Sequence, residues 1–265
     1  MKVNQTSTSY QKDTNSFREF IKYNINSIKR TLIETEQLLN KVGFLKLLLL
    51  FSVSLSWITY VIYFEHVGNF ILRISQGNIL IANLVLPVFQ TFPLLLSFIY
   101  VFKDNYRALF FKVKFSRILI YIILGVLTEI ILSVNIGLLL KGIKPSANPA
   151  VEDPIGITIY SLSISLIAEQ ILFFSVYYFF FLLFLKVKLN NKIVVIISTL
   201  IPAILIFGLA HLAVYNGNVL QCVFLIGLPF TLMQVFLFFR SGNFFIGYIV
   251  HLVFDITILL IAKLT

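Results

Sequence analysis

The sequence predicts an all-α, polytopic membrane helix bundle of seven spans preceded by a cytoplasmic amphipathic helix, and three observations predict it. Hydrophobic residues make up 59% of the 265-residue chain and charged residues 12%, against about 45–50% and roughly 25% in soluble domains. Seven stretches are apolar over the ~20 residues that cross ~30 Å of hydrocarbon as a helix. Lys and Arg alternate between successive connections, sixteen on one side and four on the other, as the positive-inside rule requires. Mean hydropathy is +0.96, with much of the excess in 28 phenylalanines. No water-facing surface can be built from that composition, so a single soluble domain is excluded.

The N-terminal segment 1–43 is polar, and no cleavable signal peptide is expected there because the first apolar run begins after Lys41. Within it, residues 16–42 show helical periodicity. Ser16 and Glu19 form a capping box, and Phe17, Phe20, Ile21, Ile28, Leu32 and Leu39 recur at helical spacing, with Lys22, Lys29 and Arg30 among the polar positions. A basic amphipathic helix of this kind is expected to lie on the anionic cytoplasmic leaflet, with a docking surface for a partner protein as the lesser alternative.

The spans follow at 44–64, 79–102, 118–140, 155–185, 193–215, 219–239 and 244–262. The first three make one unit, 44–140, and the last four a second, 155–262. Pro87 and Pro93 in the second span, Pro202 in the fifth and Pro229 in the sixth mark kinks that membrane helices tolerate. The fourth span has 31 residues and must tilt, protrude or break. Connection 141–154, with Pro145, Pro149 and Pro154, is expected as an irregular outer loop. The basic connections 1–43, 103–117, 186–192 and 240–243 fall on the cytoplasmic side, which predicts a multi-pass protein of the cell membrane with a cytoplasmic N-terminus. Lys outnumbers Arg fifteen to six, a composition suggestive of an AT-rich bacterial genome.

The net charge of +10 is scattered between apolar runs, so it reads as a topology signal and not as a nucleic-acid surface. One cysteine, Cys222, permits neither an intramolecular disulfide nor a Cys-based zinc site.

Five ionisable side chains lie at membrane depth: Glu129, Glu169, His211, His251 and Asp255. Each costs several kcal/mol against lipid, so each is expected to face the bundle interior. Phe207 and His211 share a helix face by their i,i+4 separation, as do His251 and Asp255. Glu169, His211, His251 and Asp255 are therefore expected to converge on one polar cavity. His211 stands four residues from the outer limit of its span, whereas Glu169 and His251 are near mid-span. That mismatch, on the order of 10 Å, means either that the span boundary is misplaced or that tilt and the Pro202 kink bring His211 inward. Glu129 has no motif around it and reads as a packing or snorkelling carboxylate.

These segments, in this order, resemble the CAAX-protease and bacteriocin-processing (CPBP, or Abi) family of intramembrane proteases. The family pattern is Glu-Glu-x-x-x-Arg, Phe-x-x-x-His and His-x-x-x-Asn/Asp. Phe207 and His211 match the second motif, and His251 and Asp255 the third. In the first, Glu169 stands, Gln170 takes the place of the second Glu, and Phe174 that of Arg. The resemblance spans 155–262 and implies that Glu169 and His211 activate water against a peptide carbonyl while His251 and Asp255 stabilise the oxyanion. It implies a membrane-associated peptide or peptide precursor as substrate and no cofactor. Zinc is a lesser alternative, since Glu, two His and Asp are plausible ligands but no His-Glu-x-x-His segment occurs. Two other functions stay open. One is a catalytically lapsed relative that binds a membrane partner, such as a sensor kinase, or confers bacteriocin immunity. The other is a transporter with a proton relay, although no inverted repeat is visible.

Overall fold

A computed structural model of the chain describes residues 25–62, 64–110, 113–141, 154–187, 189 and 191–264. The Ser16–Glu19 cap, the first apolar positions of the amphipathic segment and nearly all of the loop 141–154 lie outside them. The described residues form a helical bundle. An N-terminal helix α1 occupies 25–42. It is followed by α2 (Phe44–Ile62), α3 (Phe64–Ile74), α4 (Ile79–Phe102), α5 (Phe115–Leu139), α6 (Ile155–Lys186), α7 (Lys192–Leu209), α8 (Leu228–Ser241) and α9 (Phe244–Leu264). A 3₁₀ turn Tyr106–Leu109 follows α4, and a π-helical segment Gln221–Gly227 leads into α8. Seven of these units are long and apolar enough to cross a membrane. In hydrocarbon only structures that satisfy their backbone groups internally can do so.

The fourth span neither breaks nor shortens. At 32 residues, α6 is about 48 Å long, well beyond the hydrocarbon thickness, and it forms the axis of the bundle. In its most apolar window 78% of residues are buried, against 11–33% in α2, α4, α5, α7 and α9. Phe173, Phe174, Tyr177, Tyr178 and Phe181 sit in the core at 1% exposure or less. Aromatic residues from α8 and α9 pack on them, with Phe238 and Phe244 at 5.1 and 4.9 Å between ring centroids from Phe174. Side-chain to backbone hydrogen bonds join the spans: Trp57 Nε1 donates to Gln90 O (2.8 Å), Tyr160 OH to Leu84 O (2.9 Å) and Tyr248 OH to Ser163 O (2.7 Å). Such bonds hold helices together where lipid offers no hydrophobic drive.

The basic connections gather at one end. Ser27 Oγ and Tyr121 OH both donate to Arg240 O, Phe110 pairs with Asn243, and Lys192 Nζ lies 2.6 Å from Glu36 Oε2. The apolar face of α1 is packed differently from the expectation that it lies on a leaflet. Leu32, Leu38, Leu39 and Val42 are buried in the protein core, so protein, not lipid, covers that stripe. Gly43, at φ +86°, ends α1 in the left-handed conformation that favours glycine, and its N–H donates to Leu39 O at 3.0 Å. The turn then enters α2.

Candidate functional site

The fifth span ends at Leu209, not near 215, and this shorter helix accounts for the expected depth mismatch. Residues 210–217 form a chain of turns, closed by Gly217 N–H to Leu212 O (2.8 Å) with Asn216 and Gly217 at positive φ. His211 lies in the first of these turns and reaches α6 directly, with Nε2 3.5 Å from Glu169 Oε2. On α9, His251 Nε2 is 3.5 Å from Asp255 Oδ2, one turn further along. All four residues line a single cavity of about 240 Å³, as their spacing and polarity predicted. The cavity lies toward the 210–217 turn, away from the basic end, and Val214 and Tyr215 of that turn form part of its wall.

Local packing sets the position of His211. A Cβ on Gly208 would stand 2.5 Å from Cys222 O, and one on Gly227 2.5 Å from Ile204 O. The end of α7 and the π segment therefore touch backbone to backbone, which only glycine permits. Leu228 N–H donates to Val223 O, five residues back. This wider turn precedes Pro229, whose ring clashes with a regular α turn and has no N–H to give. The widened turn carries Leu225 and Ile226 into the cavity wall.

Phe207 contributes twice. Its carbonyl is 2.9 Å from His211 Nδ1, so in neutral His211 this nitrogen holds the proton and Nε2 presents a lone pair toward Glu169. Its ring stacks on Phe230 at 3.8 Å and 9°. Phe230 in turn lies 4.6 Å from the His251 ring. The two stacked rings form an apolar wall between the two imidazoles. Phe230 had no sequence signal beyond being one aromatic among many.

The first motif behaves differently from the other two. Gln170 and Phe174 do not line the cavity. Gln170 Nε2 donates to Gln234 Oε1 (2.9 Å) and Phe244 O (3.2 Å), and Gln234 Nε2 donates to Gly247 O (3.1 Å). A Cβ on Gly247 would collide with the Gln234 amide, so glycine there makes room for the network. Phe174 belongs to the aromatic core. Ser165 Oγ donates to Leu162 O (3.5 Å), and Glu169 turns to His211.

One residue was underweighted by sequence reasoning. Glu129 of α5, read as a packing carboxylate, is 4% exposed and lines the same cavity, together with Ser133 one turn on. The signal available was the i,i+4,i+8 series Gly125, Glu129, Ser133 on one face. A Cβ on Gly125 would stand 2.5 Å from Val250 Cγ1, so α5 presses against α9 there, and the parallel course of the two helices brings Glu129 to the level of Phe254 and Asp255.

Chemically, an ionised Glu169 and a neutral His211 Nε2 are both acceptors, and 3.5 Å is long for a direct hydrogen bond. The pair is suited to a water molecule that donates one hydrogen to each. Among the described residues no three His, Cys, Asp or Glu side chains are grouped closely enough to share a metal ion. The chain matches no protein-family model, no curated protein and no solved structure.

Proposed function

We propose that the chain is an intramembrane peptidase of the CPBP type, cleaving a membrane-associated peptide or peptide precursor with water held by Glu169 and His211. The observation that carries this reading is the Glu169–His211 contact in a cavity it shares with the His251–Asp255 pair. Water donates one hydrogen to Glu169 and one to His211 Nε2, and its oxygen attacks the scissile carbonyl as a proton passes to Glu169. The developing oxyanion takes hydrogen bonds from the His251–Asp255 side. Glu169 then returns the proton to the departing amine as the C–N bond breaks, so no external reactant is needed. The basic end of the bundle faces the cytoplasm, so the cavity opens toward the outer half of the membrane.

The two departures in the first motif are charge-balanced: Gln170 has one negative charge fewer than Glu, and Phe174 one positive charge fewer than Arg. Exchanging both members of a buried pair for neutral groups leaves no orphaned charge, and neither position reaches the cavity. A second reading rests on the same substitutions. No Lys or Arg is among the described residues lining the cavity, and a lapsed relative acting as an immunity or regulatory partner has no use for a cation that grips substrate.

The test is hydrolysis by purified protein in lipid nanodiscs, using a library of apolar peptides. Glu169→Gln should lower the rate by about 10²–10⁴-fold. Equal activity or equal cellular phenotype for wild type, Glu169→Gln and His211→Ala selects the regulatory reading.

A further inference from the structure

Of the three carboxylates in the cavity, two face an imidazole: Glu169 with His211 and Asp255 with His251, each at 3.5 Å. Glu129 is the third. It is buried at 4% exposure, and its Oε2 has no hydrogen-bond partner among the described residues. Asp255, a group of the same sign when both are ionised, lines the same cavity. A carboxylate so placed is stable when neutral or when a positive charge is brought to it. No Lys or Arg is among the described residues that line the cavity, so none of them supplies that charge.

The rest of the lining states what kind of cation fits. Leu162, Leu225, Ile226 and Phe254 give the cavity apolar walls, which suit a methylene stem with a charged head beyond it. Among the described residues the donors are not grouped for a bare metal ion, and a Lys ammonium with three rotatable donors meets a single carboxylate readily. The placement of Glu129 is built: the close approach of Gly125 to Val250 sets this face of α5 against α9, one turn before the carboxylate.

We propose that Glu129 is a substrate-binding residue that pairs with a basic side chain, Lys in the first instance, of the peptide entering the cavity. The proposal rests on the peptide-substrate reading above and adds the chemistry by which a substrate is selected. It also brings α5, which lies outside the segment resembling the CPBP family, into the site. Glu129 touches the substrate at a distance from the reacting carbonyl and takes no part in the proton transfers.

The test uses the full-length protein in nanodiscs and three dye-labelled apolar heptapeptides differing only at the central residue: Lys, norleucine or Glu. Binding is read by fluorescence anisotropy and cleavage by mass spectrometry on the same samples. The Lys peptide should bind about 10–100-fold more tightly than the norleucine peptide, the effect of one desolvated charged hydrogen bond. Glu129→Gln should abolish that ratio. Equal affinities in wild type, or a ratio that survives Glu129→Gln, overturns the proposal. Should Glu129→Gln lose both peptides, Glu129→Asp decides, because it keeps the charge. A Lys preference retained in Glu129→Asp supports the site, and one lost overturns it. A Lys preference without cleavage removes the peptidase reading and keeps the cation site, whereas cleavage without a Lys preference does the reverse.

Discussion

Replacing Gly208 with alanine tests whether the site depends on the close backbone approach of α7 to the π segment. The added Cβ would stand 2.5 Å from Cys222 O and 3.0 Å from Val223 Cα, both backbone atoms that no rotamer change can move. Ordinary contact begins near 3.4 Å, so the end of α7 must retreat by about 0.9 Å, an overpacking that typically costs about 1–3 kcal/mol. His211 is three residues further along and moves with that end, whereas Glu169 is fixed on α6. A displacement of about 1 Å between reacting groups can lower a rate by about 10²-fold. Gly137→Ala is the matched control, since its Cβ meets only Leu225 Cδ2, at an ordinary 3.8 Å, and alanine favours a helix interior. Thermal unfolding in nanodiscs and peptide cleavage should both fall for Gly208→Ala and hold for Gly137→Ala. Wild-type stability and rate in Gly208→Ala would refute the reasoning.

Phe174→Arg is expected to unfold the protein and not to restore a motif, because it buries a charge among Phe173, Tyr178, Phe238 and Phe244. The loss should be about 3–5 kcal/mol, the usual cost of an uncompensated buried charge, read as loss of monodisperse protein after extraction. Gln234→Leu removes one of the two acceptors of the Gln170 amide and should cost about 1–3 kcal/mol, and Gln170→Leu added to it should recover part of that loss in a double-mutant cycle of unfolding free energies. Glu36→Gln removes the exposed ion pair to Lys192 and should cost less than about 1 kcal/mol, a difference that 1 M salt should erase. Cysteines introduced in 103–117 should be labelled from the cytoplasmic side of intact cells, and labelling from outside reverses the assigned orientation.

Span number, order and the gathering of basic connections were legible in the sequence because bilayer thickness and charge asymmetry act on long windows of residues. The convergence of Glu169, His211, His251 and Asp255 was legible because isolated polar groups in hydrocarbon have few other places to go. The end of the fifth span was not. Residues 210–215 continue an apolar run interrupted only by His211 and Tyr215, and the break at Leu209 is made by the turn bonds and by the contact of Gly208 with Cys222, fourteen residues on. The docking of α1 was misread for a related reason: Leu32 and Leu39 suit a leaflet and a protein groove equally, and periodicity reports a buried face without saying what buries it. Glu129 was visible as an intramembrane acid, but its role depends on Gly125 meeting Val250, a contact between residues 125 positions apart in the chain. Gln170 and Phe174 stand at motif positions, and only their partners on α8 and α9 reveal that they are turned away from the cavity.

Hydrolysis in water enriched in ¹⁸O tests the role of Glu169 and His211 most directly. A peptide cleaved by the protein in nanodiscs should carry one ¹⁸O in its new C-terminal carboxylate, because in the proposed mechanism the attacking oxygen comes from water held by those two side chains. Glu169→Gln and His211→Ala should each remove the labelled product while leaving the protein folded. Cleavage that continues undiminished in Glu169→Gln, or a product without the label, would contradict a water-activating pair at this site.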